Sequence, residues 1–342
     1  GKEVKDAVIE LKGKGATGII LDLRDNPGGL VFEAVNICNI FIPKGKRVVI
    51  TKGKVQNSNA SYETLNNPVD LEIPLVVLIN RGSASASEIV AGTLQDYDRA
   101  VIVGEKSFGK GLVQIPRPLS YNSQVKITTA KYYTPSGRCI QVLDYSHRRE
   151  DGSVGSIPDS LKKIFKTSTG RAVYDGGGID PDIVLDGSEI SSFTQMLYNN
   201  GFIFDYATLY ASEKQHIPPA RDFKLSDGEY DEFVRWVKSK QYNYRSPVEV
   251  QLSVFEQQAK REKYYGDLKT QIGQIGELLS ESRKKDLYNF KDQIKTLLEQ
   301  DIVSRYYLEK GSTEVRFKND MDIKKSIEIL NSPADYKKVL NI

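Results

Sequence analysis

Between residues 17 and 104, strand-length apolar runs alternate with stretches whose apolar residues recur at helical spacing, and few architectures accommodate that alternation. Thr17-Gly-Ile-Ile-Leu-Asp-Leu23, Val48 to Thr51, Leu75 to Asn80 and Ala100-Val-Ile-Val-Gly104 each read as a buried strand. Val4, Ala7, Val8 and Leu11 precede the first strand at helical spacing, Leu30, Val31, Ala34, Val35 and Cys38 follow it, and a helix from about residue 86 to 95 precedes the last. Strands separated by helices argue an α/β fold with a mostly parallel sheet covered on both faces. After Gly111 the pattern changes. Leu112-Val-Gln-Ile115 and Gln124 to Tyr133 alternate β-branched and aromatic residues and read as a strand pair, followed by a turn at Pro135-Ser-Gly137. Residues 53–68 read as a polar loop and 144–175 as a polar, Gly- and Ser-bearing stretch, before Gly176 to Leu185 turns into a short strand.

A chain of 342 residues is long enough for two domains. From about residue 190 the composition shifts to Lys, Glu, Gln, Leu and Tyr at helical spacing, and Ser226-Asp-Gly-Glu229 has the form of a capping box ahead of Phe233, Val234 and Val237. We therefore divide the chain into a core, 1–189, and a mainly helical C-terminal domain, 190–342. The 48 basic and 45 acidic residues stay balanced along the chain, so no basic arm implies nucleic acid as a partner. Apolar runs such as Ile19 to Leu23 fall far short of the roughly 18 residues that cross a bilayer. Gly1 lies inside what reads as a helix, with no Met and no signal segment, so the chain reads as a piece of a longer protein.

Histidine scarcity constrains the chemistry. His147 lies in a run of charge and His216 precedes Ile217-Pro-Pro219, so both read as loop residues, and a Ser/Cys-His triad or a His-rich metal site is disfavoured. Cys38 and Cys139 make neither a disulfide framework nor a four-ligand zinc site, and they leave the redox compartment open. Three clusters remain. In Asn80-Arg-Gly-Ser-Ala-Ser-Ala-Ser-Glu88 an apolar strand ends in small residues before a helix, a turn that can present a hydroxyl at a helix N-terminus. Ser85-Ala-Ser-Glu88 is equally a capping box, and a serine there is more often only a cap.

In Gly104-Glu-Lys-Ser-Phe-Gly-Lys-Gly111 the match to a phosphate-binding loop fails, because Gly111 stands where Ser or Thr must hold magnesium and a strand follows. What remains is Lys110 between two glycines, with Gln114 four residues on. A lysine acts as a general base only when neutral, and a lone lysine is usually a solvated charge. Gln114 could accept a hydrogen bond from the amine and fix its direction. Arg24-Asp-Asn-Pro-Gly-Gly29 is a turn whose glycines let backbone amides face a substrate.

Together the clusters resemble the carboxyl-terminal processing peptidases, or tail-specific proteases, which are serine proteases with a Ser-Lys dyad. The resemblance rests on Leu21 to Gly29, Asn80 to Glu88 with Ala91-Gly92, Val103-Gly-Glu105, Phe108 to Gln114, Thr128 to Arg138 and Gly177-Gly-Ile-Asp-Pro-Asp182, in family order over about residues 1–186. It implies Ser85 as nucleophile, Lys110 as base and Gln114 as the residue orienting it. The implied oxyanion donors are the amides of Ala86 and of the Gly28-Gly29 pair, with the choice of glycine open. Asp25 departs mildly from the Asn or Gly often found before Asn-Pro-Gly-Gly.

The resemblance further implies a crotonase/ClpP-like protease core and an acyl-enzyme mechanism without metal or organic cofactor. Implied substrates are proteins or peptides cleaved near apolar C-termini and bound in extended form, in the cell envelope, periplasm or another exported compartment. Family members usually carry an upstream PDZ domain, which is expected to precede this chain, and the helical region could serve as a homo-oligomer contact, a lid or a platform. The competing reading is a latent or non-catalytic peptide-binding module of the same family.

Overall fold

The computed structural model describes residues 1–55, 58–185, 187 and 190–342, with the side chains of residues 146, 147 and 319 excepted. The chain forms two compact units, Gly1–Gly187 with Met321–Ile342, and Ser188–Asp320. The division expected at residue 189 falls outside the described residues. The placement of 321–342 corrects the sequence reading, because the last helices return to the first unit.

In chain order the first unit contains α1 (Lys2–Gly13), β1 (Ile19–Asp22), α2 (Val31–Phe41), β2 (Arg47–Lys52), β3 (Ala60–Glu63), β4 (Leu75–Ile79), α3 (Ala86–Asp96) and β5 (Val101–Gly104). There follow β6 (Leu112–Pro118), β7 (Gln124–Tyr133), β8 (Leu143–Arg148), β9 (Val154–Ser156), β10 (Ile164–Lys166), β11 (Ala172–Tyr174) and β12 (Ile183–Val184). The polar stretches thus hold five short strands that hydrophobic patterning did not reveal, and His147 lies in β8, not in a loop. His216 does lie in a loop.

Three of the four apolar runs form a parallel sheet with β12, in the order β1-β4-β5-β12, while the run Val48 to Thr51 does not join it. Every residue of β4 and β5 is buried, as expected for strands covered on both faces. On one face Leu75, Val77, Ile79 and Ile102 pack with Val8 of α1, Val35 and Cys38 of α2, and Ile89, Val90 and Leu94 of α3. A second sheet, β3-β2-β7-β6, is antiparallel and takes in β2 as well as the expected hairpin.

The second unit is helical: α4 (Ser192–Asn199), α5 (Phe202–Glu213), α6 (Asp227–Lys238), α7 (Pro247–Arg261), α8 (Tyr265–Arg283), α9 (Asp286–Asn289) and α10 (Lys291–Asn319). The capping box opens α6 as read, with Ser226 N–H donating to Glu229 Oε2 at 2.8 Å and Glu229 N–H to Ser226 Oγ at 3.2 Å. Phe233, Val234 and Val237 are buried in this unit's own core with Phe193, Tyr206, Leu298 and Ile302. Two last helices, α11 (Met321–Leu330) and α12 (Pro333–Leu340), cover the other face of the parallel sheet, packing Ile329, Tyr336 and Leu340 on Val76, Leu78, Val101 and Val103. Tyr336 Oη accepts from Leu75 N–H at 2.9 Å, so α12 is bonded to the sheet as well as packed on it.

A buried ion pair fixes the end of α3. Arg138 and Asp96 meet at 2.9 Å with side chains 1% exposed, and Asp96 Oδ2 accepts from Thr134 Oγ1 at 2.5 Å and from Ser136 N–H at 2.9 Å. The segment Thr134-Pro-Ser-Gly-Arg138 is therefore a turn wrapped around one carboxylate. Arg138→Met should lower stability by about 3–5 kcal/mol, since it leaves a buried charge uncompensated, and an unfolding titration of the variant beside the parent reads the loss.

Candidate active site

β4 ends in the cluster Asn80 to Ser85, and α3 begins at Ala86. Ser85 has φ 56° and ψ −114°, a conformation an L-residue keeps only when its surroundings enforce it, at a cost of about 1–3 kcal/mol. The enforcing bonds come from all sides. Ser85 N–H donates to Glu88 Oε2 at 2.8 Å, Ala84 N–H to Asn26 O at 3.0 Å, and Phe108 N–H to Ser83 O at 3.0 Å. The three serines separate by what their hydroxyls do. Ser83, fully buried, donates to Leu23 O at 2.7 Å, and Ser87 donates to Asn26 O at 3.0 Å. Ser85 retains solvent access, with its hydroxyl over the first turn of α3 in a capping box with Glu88, so the cap expected from sequence and an accessible hydroxyl coexist.

The glycine loop is bound to this elbow. Asn80 Oδ1 accepts from Asp25 N–H at 2.9 Å and Gly82 N–H at 3.0 Å, while Asn80 Nδ2 donates to Asp25 Oδ1 at 2.9 Å. Asp25 has φ 57°, which explains why Asn or Gly would suit the position. Gly28 has φ 86°, and a Cβ there would lie 2.5 Å from Ala84 O and 2.6 Å from Ala86 N, so no side chain fits between the loop and the elbow. Gly28 N–H donates to Asn26 Oδ1 at 2.9 Å. The amides of Gly29 and Ala86 have no hydrogen-bond acceptor among the described residues.

Lys110 sits half-buried in the loop between β5 and β6. One residue joins this loop to the elbow. The Glu88 carboxylate, fully buried, accepts from Ser107 Oγ at 2.6 Å and Gly109 N–H at 2.7 Å on Oε1, and from Lys110 N–H at 2.9 Å and Ser85 N–H on Oε2. Burial pushes its carboxyl above the ordinary range, against the pull of those four bonds. Tyr132 Oη makes a second link, 3.1 Å from Ser85 O and 2.5 Å from Lys110 O. Burial raises that phenol well above its usual value, keeping it a neutral donor. Sequence reading saw Glu88 only as a cap partner. The one signal for more was a charged residue inside a run of small and apolar ones.

The structure thus brings the backbones of Ser85, Ala86, Gly28 and Lys110 together. Among the described residues no hydrogen bond joins Lys110 Nζ to Ser85 Oγ or to Gln114. Gln114 is exposed on β6 beside a register shift between Val113 and Gln114. Groups of three or more His, Cys, Asp or Glu side chains that could hold a metal are absent among the described residues.

Residues 1–144 match the pattern of Peptidase family S41, and residues 193–330 match "Probable PDZ-protease, C-terminal helical domain". A "Carboxy-terminal-processing protease" of Bartonella bacilliformis is 48% identical over 138 residues, covering 40% of this chain and 32% of that protein. A "Probable CtpA-like serine protease" of Staphylococcus aureus is 48% identical over 143 residues, covering 40% of this chain and 28% of its own length. The chain therefore spans about a third of the length of these curated relatives. Among solved structures, a photosystem II D1 C-terminal processing protease aligns with a TM-score of 0.41 at 33% identity, covering 54% of this chain and 39% of that one.

Proposed function

We propose that the chain, whose residues 1–144 match Peptidase family S41, is a serine-type carboxyl-terminal processing peptidase that cleaves proteins or peptides through a Ser85 nucleophile and a Lys110 base. Ser85 Oγ attacks a peptide carbonyl, Lys110 Nζ takes the hydroxyl proton and returns it to the leaving amine, and water then releases the acyl group from Ser85. The observation that carries the reading is a strained and accessible serine followed by the unengaged amide of Ala86, with the unengaged amide of Gly29 one residue beyond the close contact of Gly28 with this elbow. Gly28 has spent its N–H on Asn26, so we assign the oxyanion to Gly29 and Ala86 and give Gly28 the role of close contact. Each such donor is worth about 3 kcal/mol in the transition state.

Lys110 must swing to reach Ser85, and Gln114 must turn inward to hold it. Catalytic hydrogen bonds of this kind tighten on substrate binding. Extended substrates, apolar C-termini, an upstream PDZ domain, a crotonase/ClpP-like core, self-association through the helical unit and an exported location complete the proposal. The test follows an unfolded protein with an apolar C-terminus by mass spectrometry, with the chain and its Ser85→Ala variant. Cleavage near that terminus by the parent alone is expected. Peptide binding without cleavage by either would instead identify a peptide receptor.

A further inference from the structure

The loop that carries Gly28 and Gly29 has two roots. One is the Asn80 carboxamide. The other is Arg24, the residue before Asp25, where the chain leaves the sheet after the Leu23 N–H to Leu78 O bond of 2.9 Å. Arg24 Nε and Nη2 grip the two oxygens of Asp22 at 3.0 and 2.7 Å, and Nη1 reaches Asp322 Oδ2 at 2.9 Å. The side chains of Arg24, Asp22 and Asp322 are 14, 20 and 19% exposed, so this charge cluster is largely removed from water and its geometry is correspondingly restrictive.

Asp322 lies in the first turn of α11 and is separated in sequence from Arg24 by the entire helical unit. It is nevertheless a fixed point. α11 and α12 are packed on the parallel sheet, Leu330 lies against Gly18 just before β1, and Tyr336 bonds to Leu75 at the start of β4. A carboxylate on a rigid helix pair that holds the guanidinium at the base of a catalytic loop can set that loop's position.

We propose that Asp322 is a positioning residue for the Gly28–Gly29 loop, acting through Arg24. On this view the C-terminal helix pair completes the peptidase unit, and the catalytic loop depends on chain that follows the helical insertion. The role in turnover rests on the peptidase reading above; the effect on the loop does not.

The experiment compares the parent with Asp322→Ala, Asp322→Asn and, as a control on the same helix pair, Asp335→Ala. It reads hydrogen exchange at the bonded amides of Asp25, Asn26 and Gly28, the thermal midpoint, and kcat and KM on a peptide. In Asp322→Ala, exchange at those three amides is expected to rise about tenfold by local opening, with the midpoint shifted by no more than a few degrees. kcat is expected to fall about tenfold with KM unchanged, a fraction of the loss seen when an oxyanion donor is removed outright. Asn, which keeps an acceptor for Arg24, should recover part of both effects, and Asp335→Ala should change neither. A lowered midpoint with unchanged loop exchange would overturn the proposal and make Asp322 a staple of the helix pair only. Unchanged exchange and midpoint together would overturn it as well. If the parent shows no Ser85-dependent turnover, the peptidase reading fails, and the exchange data still decide the role of Asp322.

Discussion

Alanine at Ser85 is expected to lower kcat/KM on a cleaved peptide by about 10⁴-fold or more, and alanine at Lys110 by a similar factor, while the double variant is no worse than either single one. The non-additivity follows from the mechanism. A serine hydroxyl is a weak nucleophile until its proton is taken, so removing the acceptor or the hydroxyl disables the same step. What survives is stabilisation by the Gly29 and Ala86 amides, which need neither side chain. Stability separates these variants in a way that activity does not. Ser85 holds φ 56°, so Ser85→Gly is expected to be about 1 kcal/mol more stable than Ser85→Ala, although both are inactive. Kinetics and unfolding on the four variants check both statements. Additive losses for Ser85 and Lys110 would show that the lysine acts elsewhere in the reaction.

The parts of the fold that sequence makes legible are those whose burial is written locally. β1, β4 and β5 are apolar runs because both faces are covered, and α6 announces itself by Ser226, Glu229 and its buried Phe233. β3 and β10 escape notice because one is polar and both are largely exposed, and their pairing comes from partners elsewhere in the chain. The return of α11 and α12 is hidden for another reason. An amphipathic helix states that one face is buried but not against what, and here the partner is a sheet whose central strands, β4 and β5, lie more than two hundred residues away. The site divides in the same way. The roles proposed for Ser85 and Lys110 come from the resemblance of several linked motifs, since each residue alone has a commoner use as a helix cap or a solvated charge. The proposed choice of Gly29 over Gly28 depends on one Asn26 hydrogen bond, a contact within the turn that the glycines alone do not announce, and the exposure of Gln114 on a strand with a register shift has no local signature.

Glu88 is where those two levels meet, and replacing it is expected to have the largest structural effect in the site. Its two oxygens accept four bonds, three from backbone amides and one from Ser107 Oγ, and none of the four donors gives another hydrogen bond among the described residues. Glu88→Ala strands two buried donors, Ser107 Oγ and Gly109 N–H, and two part-buried ones, Ser85 and Lys110 N–H, at about 1–3 kcal/mol for each buried one, so a loss of about 4 kcal/mol is expected. Glu88→Gln keeps the shape but turns an amide group toward two donors, and should cost about half as much. The pH dependence distinguishes the role in ordering the site from that in folding. Burial raises the carboxyl above its ordinary 4.5, so its ionisation disfavours the folded state. Glu88's contribution to stability is then fully present below about 4.5 and is lost as pH rises through the raised value. Activity should run the other way, because only the ionised carboxylate offers an acceptor to all four donors and keeps the Ser85 and Lys110 loops joined. Glu88→Gln should therefore remove the acid limb of the kcat profile and flatten the matching segment of the stability curve, at a uniformly low rate. If the acid limb persists in Glu88→Gln, some other group limits turnover in acid, and Glu88 is a structural tie with no part in the pH dependence.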